Sequence, residues 1–130
     1  MSGTPAVSYR GISKRFPGVV ALDDVSLDIQ AGEFHALCGE NGAGKSTLGK
    51  LLAGIYQPDT GEIQLFGRPM SLSSPEVALA AGVGMVHQEL AFCDNLSVAE
   101  NLCLRALPAR AGFVSKREMR RQAESLLEII

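Results

Sequence analysis

Nine consecutive residues, Gly39-Glu40-Asn41-Gly42-Ala43-Gly44-Lys45-Ser46-Thr47, have the types and the order needed to hold a polyphosphate. They fit G-x-x-x-x-G-K-[ST] at every fixed position. The glycines let the backbone curl until successive N–H groups point inward at phosphate oxygens. Lys45 supplies a mobile positive charge for β- and γ-phosphates, and Ser46 offers a hydroxyl to Mg²⁺. A helix beginning at this point would add the positive end of its dipole.

Such a loop needs a strand before it and a helix after it. Phe34-His35-Ala36-Leu37-Cys38 is short and mostly apolar, as a buried strand is. Leu48, Leu51, Leu52 and Ile55 recur on one helical face after Lys45, with Gly54 placed to cap the helix and Pro58 beyond it. Upstream, residues 7–10 and 25–29 read as strands of a small antiparallel unit, the second with clean apolar–polar alternation. Downstream, Pro58-Asp59-Thr60-Gly61 reads as a turn and Ile63-Gln64-Leu65 as a strand ending at Gly67. Ser74-Pro75 opens a helix that Gly82 closes, and residues 83–86 form a plausible strand leading to His87-Gln88-Glu89. Capping boxes at Ser97-Val98-Ala99-Glu100 and Ser115-Lys116-Arg117-Glu118 start two more helices, with a loop over residues 107–113 between them. The last helix puts Met119, Ala123, Leu126, Leu127 and Ile130 on one face. It is still apolar at the final residue, which reads as a chain interrupted within a domain.

Composition narrows the classes. The 130 residues, 46% apolar and 20% charged, suit one small globular unit. A net charge of −2 carries no electrostatic footprint for nucleic acid, so phosphate must be captured locally. Cys38, Cys93 and Cys103 have no metal-ligand spacing; they read as small buried residues in a reducing cytosol. No apolar run approaches the ~18 residues of a spanning helix, so any membrane association goes through a partner. His35 and His87 have no acid–nucleophile constellation near them and read as structural.

These residues resemble the ATP-binding-cassette ATPases. Gly11-Ile12-Ser13-Lys14-Arg15-Phe16-Pro17-Gly18, Leu22-Asp23-Asp24-Val25-Ser26-Leu27, and Leu51-Leu52-Ala53-Gly54-Ile55-Tyr56-Gln57-Pro58-Asp59-Thr60-Gly61-Glu62-Ile63 follow that family's N-terminal pattern in order. The wording Phe16-Pro17-Gly18-Val19-Val20-Ala21-Leu22, together with the phosphate loop, is most similar to the monosaccharide importers of the ribose, xylose and galactose type. The resemblance implies an α/β fold: a P-loop NTPase core of cassette type with an N-terminal antiparallel β unit and the start of a helical subdomain. It implies ATP and Mg²⁺ as cofactors. Residues 1–130 would then be the N-terminal part of a first ATP-binding domain, ending before the signature and the Asp-Glu strand. The cofactor-binding set it implies is Phe16, Gly39, Glu40, Asn41, Gly42, Ala43, Gly44, Lys45, Ser46 and Thr47, with Phe16 stacking on adenine. Ser46 and Gln88 would serve the metal, and Lys45 and Gln88 the chemistry; Gln88 occupies the loop that relays nucleotide state to the transport partner.

The partners implied are integral-membrane permease subunits, a second nucleotide-binding domain and, indirectly, a periplasmic sugar-binding protein, with no nucleic acid. The location implied is the cytoplasmic face of the inner membrane. Permease contact would fall near residues 90–104, through Leu90, Phe92, Leu96 and Leu102. Val19-Val20-Ala21-Leu22-Asp23-Asp24 imitates the metal-binding strand, but it precedes the phosphate loop and belongs to the antiparallel unit. The signature, the Asp-Glu strand and the switch histidine do not follow Gln88. These residues alone are therefore expected to bind ATP–Mg²⁺ weakly or not at all and to turn over negligibly. Two other readings are a cassette ATPase serving another substrate or a non-transport role, and a non-catalytic nucleotide-binding or assembly module.

Overall fold

The computed structural model describes residues 3–86, 92–104, 106–110 and 112–128, which fall into two compact units, Met1–Val86 and His87–Ile130. In the first unit β1 (Val7–Phe16) and β2 (Val19–Ile29) form a hairpin around Pro17-Gly18, both strands running longer than their alternation foretold. Next come α1 (Lys45–Leu52), β3 (Thr60–Leu65), β4 (Arg68–Met70) and α2 (Pro75–Ala80). The four strands form one antiparallel sheet in the order β2-β1-β3-β4, with Tyr9 opposite Leu27 on one side and Ile63 on the other. Irregular pairing interrupts the β1–β2 register between Tyr9 and Arg15. Within this stretch the Ser26 hydroxyl accepts from Gly11 N–H at 2.9 Å and the Ser13 hydroxyl from Asp24 N–H at 3.0 Å. Short polar side chains thus take over ladder bonds that the irregularity removes.

The core is the face of this sheet closed by α1. Tyr9, Ile12, Leu22, Ile63 and Leu65 from the strands pack with Leu48 and Leu51, and with Leu72 and Ala78. Each buried aliphatic side chain contributes about 1.5–3 kcal/mol relative to exposure. Of the apolar positions assigned to one face of α1, Leu48 and Leu51 are buried and Leu52 is partly so, while Ile55 lies past the helix and is exposed. The helix stops where Gly54 (φ 71°) turns left-handed. Gly54 N–H then bonds Leu51 O at 3.1 Å and Ile55 N–H bonds Lys50 O at 2.9 Å, a Schellman end. α2 begins as foretold, with the Ser74 hydroxyl accepting from Val77 N–H at 3.3 Å and Pro75 in the first helical position.

Two expected strands are absent. Residues 34–38 and 83–86 run without regular pairing, and Phe34 and Val86 are almost fully exposed. An apolar run becomes a strand only beside another strand that satisfies its N–H and C=O groups. The antiparallel sheet ends at β2 and β4, and neither segment pairs with those edge strands.

In the second unit α3 (Val98–Cys103) begins at a complete capping box: Ser97 accepts from Glu100 N–H, and Glu100 accepts from Ser97 N–H at 2.8 Å. The segment expected to be a loop contains a two-stranded ribbon, β5 (Ala109–Arg110) with β6 (Phe113–Val114). α4 (Lys116–Leu127) has only half a box, because Ser115 N–H donates to Pro108 O at 2.8 Å rather than to Glu118. Cys103, Met119 and Ala123 bury the α3–α4 contact, while Leu126 and Leu127 are exposed and Ile130 lies outside the described residues. Of the three cysteines only Cys103 is buried; Cys38 and Cys93 are exposed, against expectation. Among the described residues no helix is long and apolar enough to cross a membrane.

Candidate phosphate-binding site

The loop from Gly39 to Thr47 owes its shape to α1 and β2. Gly44 is the N-cap of α1 in a left-handed conformation (φ 85°), pressed against β2. A β-carbon there would collide with the Ala21 carbonyl oxygen and lie 2.7 Å from Leu22 Cδ2, so only glycine fits. Gly42 (φ 88°) supplies the preceding left-handed turn, and Ala43 N–H closes it onto Glu40 O at 3.2 Å.

Having no side chain, Gly44 cannot cap the amides that follow it, and no acidic residue stands in the first turn. The helical ladder starts with Leu48 N–H on Gly44 O at 2.9 Å. The N–H groups of Lys45, Ser46 and Thr47 therefore precede the ladder, at the positive end of the helix dipole. Lys45 turns back over the loop, its Nζ donating to Gly39 O and Glu40 O at 2.7 Å each. One ammonium thus lies against the same backbone turn that the uncapped amides follow. The Ser46 side chain is exposed at the start of α1. The combination of free helical amides, a cation and a hydroxyl without a competing carboxylate on the helix suits an oxyanion with its counter-cation.

α1 is held to the sheet behind the loop by more than apolar contact. The buried Tyr9 hydroxyl donates to Leu48 O at 3.3 Å, and burial pushes its pKa up to about 12. A second tie joins β1 to the chain leaving α1. Asp59 accepts from Lys14 Nζ at 2.6 Å and from Arg15 N–H at 2.7 Å, and its own N–H donates to Ser13 O at 2.9 Å. The Lys14 hydrogen bond, then that of Arg15, holds the Asp59 pKa below its ordinary value. Nothing in the sequence marked these ties of Tyr9 and Asp59, whose partners lie about forty residues away.

Phe16 ends β1 opposite Val19, half-buried, on the hairpin whose Ala21 and Leu22 touch Gly44. Tyr56 meets its ring edge-on, with centroids 5.1 Å apart at 67°, and Lys14 Nζ stands 5.7 Å from the ring centre. Asp23 and Asp24, which imitate a metal-binding pair, sit in β2 of the antiparallel sheet, Asp23 within 4.0 Å of Arg15. His35 is exposed and lies 3.1 Å from Glu33, whose pKa is lowered by Gln30 N–H and then by His35. Gln88, His87 and Leu90 lie outside the described residues. In the second unit Phe92 and Leu102 are exposed and Leu96 is half-buried.

A glycine loop of this form, opening a helix beneath an antiparallel β unit, defines a P-loop nucleotide-binding domain of the α/β class. The ABC transporter family model matches residues 22–130, and the chain belongs to that family. A protein of Agrobacterium fabrum, provisionally named ribose/galactose/methyl galactoside import ATP-binding protein 2, is 58% identical over 119 residues, covering 91% of this chain and 23% of its own length. The arabinose import ATP-binding protein AraG 1 of Burkholderia cenocepacia is 50% identical over 122 residues, covering 94% of this chain and 24% of its own. The chain thus spans about a quarter of the length of these relatives. In fold it is similar to a nucleotide-free ATP-binding cassette from an ABC transporter, with a TM-score of 0.76 at 23% identity, over 96% of this chain and 52% of that one.

Proposed function

We propose that this chain carries the nucleotide-binding part of an ATPase subunit that powers sugar import through a membrane permease. The observation that carries the reading is the Lys45 ammonium resting on the Gly39 and Glu40 carbonyls, beside the uncapped amides of α1. In the proposed complex Lys45 exchanges those carbonyls for β- and γ-phosphate oxygens. The amides of Gly42 and Gly44 and of the first helical turn then point at the remaining oxygens, with Glu40, Asn41 and Ala43 shaping the loop. The Ser46 hydroxyl, with Gln88, holds Mg²⁺, whose role is to neutralise charge on the phosphates. Phe16 offers its ring to adenine, for which Tyr56 must leave one face open.

Hydrolysis is assigned to the longer protein, in which a second nucleotide-binding domain faces this one and Gln88 takes part in placing water. Import-protein names among relatives about four times as long support the sugar assignment. The exposed Phe92 and Leu102 support permease contact in this region. The subunit would work at the cytoplasmic face of the inner membrane, with a periplasmic sugar-binding protein acting through the permease. The direct test is ATPase activity of the assembled importer. Stimulation by sugar-loaded binding protein, lost with Lys45→Ala, supports the reading; sugar-independent activity in the complete assembly contradicts it.

A further inference from the structure

β1 outruns one of its two neighbours. Its pairing with β3 ends at Ser13 opposite Thr60, so Lys14, Arg15 and Phe16 pair only with β2, in a register that is irregular around Lys14. Val19 and Val20, the β2 residues opposite Phe16 and Arg15, are 59% and 55% exposed. A two-stranded end of this kind is marginal unless other groups hold it. Asp59, the residue before β3, supplies such groups, and its bonds fall on the three residues before Phe16. Its N–H donates to Ser13 O at 2.9 Å, and its carboxylate accepts from Lys14 Nζ at 2.6 Å and from Arg15 N–H at 2.7 Å. One carboxylate thus stands in for the ladder that β3 no longer provides.

The same segment touches the Phe16 ring and the helix that the phosphate loop opens. Tyr56, packed partly into the core, meets the Phe16 ring edge-on at 5.1 Å. The Tyr56 N–H donates to Lys50 O of α1 at 3.2 Å, and Lys50 Nζ stands 5.5 Å from the Tyr56 ring centre. Residues 56–59 therefore join the end of α1 to the end of β1. We propose that Asp59 is a positioning residue for base recognition, holding the Phe16 ring at a fixed reach from the phosphate loop. The proposal rests on the nucleotide-binding function proposed for this chain, in which Phe16 takes the adenine. The Asp59 side chain is 41% exposed, so its loss opens no cavity in the core; what it removes is the placement of the ring. A misplaced ring weakens the base contact and leaves the phosphate contacts of Lys45 and the helical amides as they were.

The test is ATP hydrolysis by the assembled importer, with inorganic tripolyphosphate as a competitor that has no base. Phe16→Ala, which deletes the ring, is expected to raise KM for ATP about tenfold. Asp59→Ala raises it about fivefold, with kcat and the inhibition constant of tripolyphosphate unchanged within about twofold. Asp59→Asn keeps an acceptor for Arg15 N–H and raises KM about threefold. A merely structural tie would weaken ATP and tripolyphosphate alike, and that result overturns the proposal. An unchanged KM in Asp59→Ala beside a raised KM in Phe16→Ala also overturns it, and leaves the nucleotide-binding function standing. An unchanged KM in Phe16→Ala removes the stacking role and the proposal with it. An assembled importer without ATPase activity removes the proposed function as a whole.

Discussion

β1 and the segment that leads into the phosphate loop meet the same backbone requirement in opposite ways. β1 is paired on both edges, its Tyr9 and Ile12 are buried, and two side-chain ties, Tyr9 to α1 and Lys14 to Asp59, fix it to neighbouring elements. Residues 31–43 are exposed throughout and hold their shape through a few local bonds: Gln30 N–H on Glu33, His35 on Glu33, Ala43 on Glu40, and the two bonds of Lys45. One region is a scaffold whose stability comes from packing. The other is the proposed recognition element, whose conformation depends on one lysine and on where α1 begins, and whose local bonds are those a ligand would replace.

The contrast is broken most severely in the scaffold. Leu51→Ala opens a cavity where α1 meets the sheet and is expected to cost about 2–5 kcal/mol in denaturant unfolding. A loss below about 1 kcal/mol would mean the sheet–helix core is not formed as described.

Tyr9 sharpens the comparison next. Its phenol is held neutral by burial, with a folded pKa of about 12 against 10.0 when exposed. The unfolded chain therefore loses this proton first as pH rises. The contribution is intact below pH 10 and disappears between about pH 10 and 12, a difference of roughly 2–3 kcal/mol. Tyr9→Phe should remove that part of the alkaline loss, seen by comparing unfolding curves at pH 9 and 11; an unchanged alkaline slope would contradict the role.

Asp59 acts at the other end of the scale. Its folded pKa lies below the ordinary 3.8, so its contribution is present above that value and lost as pH falls through the folded pKa. The melting temperature of the native chain should fall more steeply below pH 4 than that of Asp59→Asn, which has no carboxylate to protonate. Parallel acid curves would remove Asp59 from the account. The smallest effect belongs to the recognition element: Phe34→Ser, at a fully exposed position, should change stability by no more than about 0.5 kcal/mol.

The difference between these regions also explains what could be read beforehand. Local chemistry was legible. Gly54 ending α1, Ser74 capping α2 and Ser97 with Glu100 opening α3 are interactions within a few residues, and each was foretold from them. Pairing was not legible. Residues 34–38 and residues 25–29 are both apolar enough for strands, but only the second has a neighbour, β1, supplied by a hairpin turn. The same limit hid the β5–β6 ribbon, which is closed by two residue pairs around Gly112. At the site, the left-handed turns at Gly42 and Gly44 were legible from glycine spacing. The pressing of Gly44 against Ala21 and the resting place of Lys45 were not, because both depend on how the loop folds back in space.

The central claim is that this loop is a nucleotide cradle whose cation is Lys45. It is tested most directly by equilibrium titration of the chain and of Lys45→Ala with ATP–Mg²⁺, followed by calorimetry or a fluorescent ATP analogue. The account predicts weak but saturable binding by the native chain. It also predicts at least about a tenfold loss in Lys45→Ala, the size expected for one charge-assisted contact, with no steady turnover in either. Equal affinity in the two proteins, or a steady turnover by the native chain that Lys45→Ala abolishes, would contradict it.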